Sequence, residues 1–79
     1  MAVYSNINYL THNIHVAFNV DHSPGQSVPF SGIYRCLGCH REVVAEKARQ
    51  FPPQNHHQHN YMQGNVRWRL IVYADQEPK

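Results

Sequence analysis

Charge is scarce in this 79-residue chain, and the first part has almost none: residues 1–34 carry one charged side chain, Asp21. All seven Lys and Arg lie in residues 35–79 with four acids, and the net charge of +2 argues against strong phosphate binding. No apolar run approaches the length of a membrane span, and no basic segment followed by an apolar one stands at the N-terminus, so the expected location is the cytoplasm. There is no Ser-His-Asp arrangement for hydrolysis. Ser27 and Ser31 fall in turn-forming sequence, and Asp21 and Asp75 in loop or tail contexts. No βαβ pattern surrounds the cysteines, which weakens a thioredoxin-type redox reading. The expectation is a protein that is not an enzyme.

What is present is a pair of ligand-like spacings. The cysteines stand at Cys36 and Cys39, and the histidines His56, His57 and His59 follow, giving Cys36-x2-Cys39-x16-His56-x2-His59. Zn2+ takes four ligands tetrahedrally and accepts thiolate and imidazole alike. A two-residue gap lets one tight turn bring two donors to one ion. Two thiolates also cancel the ion's charge, so that the site can be partly buried. With four donors supplied no position remains for water or substrate, which favours a structural site over a catalytic one. His57 competes with His56 as the third ligand. His40 is poorly placed, being adjacent to Cys39. A lone Cys-x2-Cys is also compatible with a disulfide or a redox pair, and three histidines in a row of four with a polar loop.

Length makes such a staple useful. At 79 residues one domain is expected. A core of that size supplies about 3–5 kcal/mol on its own, whereas a structural zinc contributes about 10–16 kcal/mol of apparent binding free energy in finger peptides. Hydrophobic residues at 42% suffice for a modest core. Seven histidines make the charge rise below about pH 6.5, and metal would be lost over a similar range because its ligands must be deprotonated.

The alternation of apolar and polar residues reads mostly β. Leu10, Ile14, Val16, Phe18 and Val20 alternate with polar or small residues, which predicts a half-buried strand over residues 10–20. Val3, Ile7 and Tyr9 predict an earlier extended stretch, with Thr11-His12-Asn13 bending the two into a hairpin. His12 reads as a partly covered strand residue. Asp21-His22-Ser23-Pro24-Gly25-Gln26-Ser27 reads as a loop. Ile33-Tyr34-Arg35 leads as a short strand into the Cys36-Leu37-Gly38-Cys39-His40 knuckle. There a left-handed residue after the second cysteine is usual, and His40 must supply it. Residues 41–50 predict a returning strand and a turn, although Ala45-Glu46-Lys47-Ala48-Arg49 are good helix formers. Phe51-Pro52-Pro53 breaks either element. The last strand spans residues 66–73, with Val66, Trp68, Leu70 and Val72 facing in and Arg67 and Arg69 out.

Three stretches carry a family resemblance: Ser31-Gly32-Ile33-Tyr34-Arg35-Cys36-x2-Cys39, Phe51-Pro52-Pro53-Gln54-Asn55-His56-His57-Gln58-His59, and Val66-Arg67-Trp68-Arg69-Leu70. Over residues 28–73 the chain resembles small, uncharacterised bacterial zinc-ribbon or rubredoxin-like proteins. The resemblance implies a small antiparallel sheet around one metal; outside it, residues 1–27 are expected to add an N-terminal strand or hairpin and turn, and residues 74–79 a tail. It carries no activity with it. Related ribbons often place Cys in the second ligand pair, whereas here Gln54 follows Pro52-Pro53 and the histidines must serve.

The expected function is a non-catalytic module with one Zn2+ per chain that binds a protein partner or its own copy, with Arg67, Arg69 and Tyr73 as candidate surface residues. The alternatives are nucleic-acid binding and thiol redox chemistry at Cys36 and Cys39. The first would use Arg35, Arg41, Lys47, Arg49, Arg67 and Arg69, with Tyr34 or Tyr73 stacking on bases. The second would have a thiol pKa lowered by the charge of His40 and Arg41 or by the dipole of a helix over residues 41–50.

Overall fold

A computed structural model of the chain describes residues 2–12, 16–52, 64 and 66–75. Among them the regular structure is mostly strand: β1 (Asp21–His22), β2 (Gly32–Cys36), β3 (Glu42–Ala45) and β4 (Trp68–Tyr73), with two short 3-10 turns at Ile7–Tyr9 and Val16–Asn19. The four strands form one antiparallel sheet in the order β1-β4-β2-β3. The mostly β, antiparallel expectation is met.

The centre of the sheet follows from its composition. Ile33, Tyr34, Val43, Trp68, Leu70 and Val72 are β-branched or bulky residues that suit a pleated surface. On the inner face Tyr34, Cys36, Trp68 and Leu70 are buried, joined by Ala17, Val28, Ala45, Phe51 and Val66. Arg35 and Arg69 take the opposite face, as the alternation requires. Phe51 stands at the end of the Ser27–Gln50 bridge, and its ring meets Tyr34 edge-on at 4.7 Å. Each such large side chain, fully withdrawn from water, contributes about 1.5–3 kcal/mol.

Three features depart from simple alternation. β4 pairs with β2 through Tyr34↔Leu70 and then Ile33↔Val72, so Ile71 is an extra residue, a β-bulge. The bulge reverses the phase, and Val72 partners Ile33 rather than following Leu70 inward. Tyr73 comes opposite Gly32 with its ring 5.5 Å from Phe30. The backbones also close tightly here: a Cβ added at Gly32 would collide with the Val72 carbonyl oxygen. A turn over Glu46-Lys47-Ala48-Arg49 follows β3, closed by the Arg49 amide on the Glu46 carbonyl (3.1 Å), with Ala48 at φ 73°. Residues 41–50 are therefore strand and turn, as expected, and not helix.

The N-terminal region differs from the expected hairpin. Ile7–Tyr9 is a 3-10 turn whose Asn6 side chain accepts the Asn8 amide (2.9 Å), and Val16–Asn19 is a second. The added N-terminal strand among the described residues is thus β1, two residues long; of the strand expected over residues 10–20, residues 10–12 and 16–20 are not strand, and Asn13, Ile14 and His15 lie outside the described residues. Only Ala17 from the second turn reaches the core, with Phe18 packed against it. His12 is exposed. The expected loop 21–27 begins as a strand, and its Ser23-Pro24-Gly25-Gln26 portion is a turn with Gly25 at φ 78°. Proline at the second position and glycine at the third are what this turn type demands.

Candidate metal centre

The β2–β3 hairpin builds the cysteine turn. Arg35 pairs with Glu42, and one step further the Cys36 amide donates to the Arg41 carbonyl (2.7 Å). The His40 amide then returns to the Cys36 carbonyl (2.8 Å), closing the loop over residues 37–40. That closure places His40 at φ 67°, in the left-handed region. Glycine usually supplies this conformation, and histidine is among the side chains that tolerate it. The expectation for His40 is met. Its imidazole is exposed.

Cys36 ends the central strand and is fully buried. Cys39 is partly buried and packs on the core, and neither sulfur is in a disulfide. The turn also lies where the chain returns from the histidine segment: the Leu37 amide donates to the Arg67 carbonyl (2.9 Å), and Cys36 pairs with Trp68. His56, His57 and His59 lie outside the described residues. The segment that carries them is held on one side by buried Phe51 and on the other by buried Val66. Seven residues separate His59 from Arg67, and an extended chain covers about 3.3–3.6 Å per residue, so the reach back to the turn is ample. Among the described residues no group of three or more His, Cys, Asp or Glu comes together.

The other candidate residues fall as follows. Arg67 is exposed. Arg69 is held by Asp21 across the β1–β4 register, through its Nε (2.9 Å) and Nη2 (2.6 Å). The pairings Asp21↔Arg69, Arg69↔Arg35 and Arg35↔Glu42 set four charges in a row across the outer face, acid at each end. Such a row is self-compensated and gives little field for a phosphate backbone. Tyr34 is buried, with its hydroxyl donating to the Phe30 carbonyl (2.6 Å), and so presents no face to a base. Burial raises its phenol above the ordinary value, with that hydrogen bond pulling the other way. Tyr73 is half exposed. For redox chemistry the helix over residues 41–50 is missing, and with it the dipole that would lower a thiol pKa.

His22 is the residue that sequence reasoning missed. It is buried on β1 opposite Trp68, its ring stacked on Phe51 (5.2 Å) and edge-on to Tyr34 (5.8 Å). Desolvation lowers its pKa, with Asp21 opposing. No local signal marks it, because residues 16–19 form a 3-10 turn and the alternation through Phe18 and Val20 does not run as a strand to position 22.

No family model matches the chain, and no solved structure matches it. Among curated proteins it is similar to Protein L of Escherichia coli, 52% identical over 54 residues. The match covers 68% of this chain and 61% of that relative, so the chain spans less than two thirds of the relative's length. The relative's name says nothing of chemistry. No helix among the described residues is long and apolar enough to cross a membrane.

Proposed function

We propose that the chain is a non-catalytic zinc-binding module, in which Cys36, Cys39, His56 and His59 hold one Zn2+ and the exposed surface engages a protein partner or a second copy of the chain. His57 is the alternate for His56. The observation that carries this reading is the Cys36–Cys39 turn itself: a hairpin end closed by a left-handed His40, beside the strand to which the histidine segment returns. Two thiolates and two imidazoles suit zinc by charge and by ligand type. A filled set leaves the ion no open position for substrate, which supports a structural role. Arg67 and Tyr73 are the more available of the three surface residues, because Arg69 is engaged by Asp21. A cytoplasmic setting suits the module, since reduced cysteines are kept ready for metal there.

Native mass spectrometry of the full chain before and after a chelator, with elemental analysis of the metal, tests the proposal. One zinc per chain is expected, and its removal should abolish the cooperative thermal transition. Cys36→Ala and Cys39→Ala should lose the metal, and His56→Ala should lose it more readily than His57→Ala. Equal loss in the two histidine variants would overturn the ligand choice. A folded, metal-free chain lighter by its two thiol hydrogens would overturn the zinc reading in favour of a Cys36–Cys39 disulfide.

A further inference from the structure

The strand β1 is the most lightly held part of the sheet. It has two residues, pairs among the described residues with β4 alone, and contributes one buried side chain, His22. Its other residue, Asp21, meets Arg69 on the outer face, with both side chains more than a third exposed. Such a pair is worth about 0–1 kcal/mol. Beyond the turn the chain is fixed again. The Gly25 amide donates to the Phe51 carbonyl (3.2 Å), the Phe51 amide to the Gln26 carbonyl (2.9 Å) and the Val28 amide to the Arg49 carbonyl (2.7 Å).

What holds β1 down is the neutral form of His22. Gln26 Oε1 accepts the Ser23 amide (3.1 Å), which turns the Gln26 Nε2 toward His22 Nδ1 (3.1 Å). An amide nitrogen donates, so Nδ1 accepts. A proton on Nδ1 would set two donors face to face and remove that bond. The ring is also stacked on Phe51 (5.2 Å), edge-on to Tyr34 (5.8 Å) and opposite Trp68, where an imidazolium would lose its hydration. No acid on those elements compensates. The Tyr34 hydroxyl is bonded to the Phe30 carbonyl, Arg69 of β4 has the wrong sign, and the Asp21 carboxylate is held by Arg69. Val16, Ala17, Val20, Pro29 and Phe30, which line the space beside His22, are apolar. Asp21 opposes the effect of burial on the imidazole without cancelling it.

We propose that β1 and the start of its turn form an acid-operated strap: protonation of His22 releases residues 21–24 from β4 and uncovers Trp68 and Phe51, while β2, β3 and β4 stay paired. The hinge falls at Gly25, already left-handed at φ 78°, just ahead of the anchored residues. The sign follows from linkage. The closed strap holds the neutral ring, so it stays shut above about pH 6.5 and opens as the pH falls below that value. Opening levels off beneath the folded-state pKa, and between the two the closed-to-open ratio falls by up to about tenfold per pH unit. The strap goes beyond the zinc reading and shares no residue with it.

Amide hydrogen exchange of the full chain, corrected for its intrinsic pH dependence, is followed by NMR between about pH 7.5 and pH 5.5. Zinc is kept in excess and the metal content is checked at each pH. Protection at β1 and its turn should fall by up to about tenfold per pH unit, while the amides of β2 and β3 keep theirs. Acrylamide should quench Trp68, the single tryptophan, more strongly at the lower pH. His22→Phe keeps a ring but removes the proton site, and should leave both readouts flat. Gln26→Glu sets an acceptor against Nδ1 in place of the donor, and should hold the strap shut to a lower pH than in the parent. Protection lost equally in all strands, opening that persists in His22→Phe, or a Gln26→Glu chain that opens at a higher pH would each overturn the proposal. Zinc lost in acid with no change over residues 21–26 would overturn it too, and would leave the zinc reading standing.

Discussion

Residues 66–73 and residues 16–20 are both rich in alternating apolar side chains, yet they meet water very differently. In the first stretch Val66, Trp68 and Leu70 are almost wholly buried; in the second Val16 is 74% exposed and Val20 46%. The difference lies in neighbours. β4 has a strand on each side, β1 and β2, so its backbone groups are paired and its inner face is covered by Tyr34, Cys36 and Phe51. Residues 16–19 lie against β4 but pair with no strand among the described residues, and form a 3-10 turn that sends Ala17 into the core. An alternating pattern states which face would be buried. It does not supply the partner that buries it.

The largest expected effect that sharpens this contrast is at Gly32. Gly32→Ala drives a methyl into the Val72 carbonyl and should cost at least about 2–3 kcal/mol, a large part of the roughly 5–15 kcal/mol that holds a domain folded. Urea denaturation of the two proteins measures it, and an unchanged midpoint would mean that the β2–β4 contact is looser than described.

Acid should act on the same half through His22. Burial holds its pKa in the folded chain below the ordinary 6.5, so the unfolded chain binds the proton first. Stability from this group is fully present above about pH 6.5, falls as the pH drops below that value, and levels off beneath the folded-state pKa. The slope of melting temperature against pH between 7 and 5 should be shallower in His22→Phe than in the parent at equal zinc loading. Parallel slopes would assign the acid sensitivity to other groups.

A smaller and opposite change is expected at Ala48, an alanine in the left-handed region at φ 73°. The strain there is about 1–2 kcal/mol. Set against the entropy that glycine brings to the unfolded chain, Ala48→Gly should gain about 0.5–1 kcal/mol. A loss of stability would show that the turn after β3 tolerates the side chain without strain.

The smallest effect belongs to the N-terminal arm. Ile7 and Tyr9 are 61% and 80% exposed, and their replacement by serine should shift stability by no more than about 0.5 kcal/mol. A larger loss would mean that the arm is covered in solution, and analytical ultracentrifugation would then show whether a second chain covers it.

The sheet and the cysteine turn were legible because their signals are local. Period-two alternation at Val66, Trp68 and Leu70 names the inner face of β4, and two cysteines three positions apart with a tolerant residue after them name the knuckle. The helix-forming composition of residues 45–49 was overridden by the turn at Ala48 and by the pairing of residues 25–28 with residues 48–51, which are contacts distant in sequence. His22 read as a loop residue because nothing in its own segment shows that β4 lies beside it.

From the sequence alone came the mostly β class, the strand-and-turn course of residues 41–50, the left-handed His40 and the candidate ligand set, all consequences of spacing and local backbone preference. Tertiary structure alone decided the order β1-β4-β2-β3, the bulge at Ile71 that turns Val72 from the phase of Leu70, the pairing of Arg69 with Asp21 and the burial of His22. Each of these depends on which distant segment supplies the hydrogen bonds and covers the apolar face, and a side chain's own neighbours in the chain do not specify that choice.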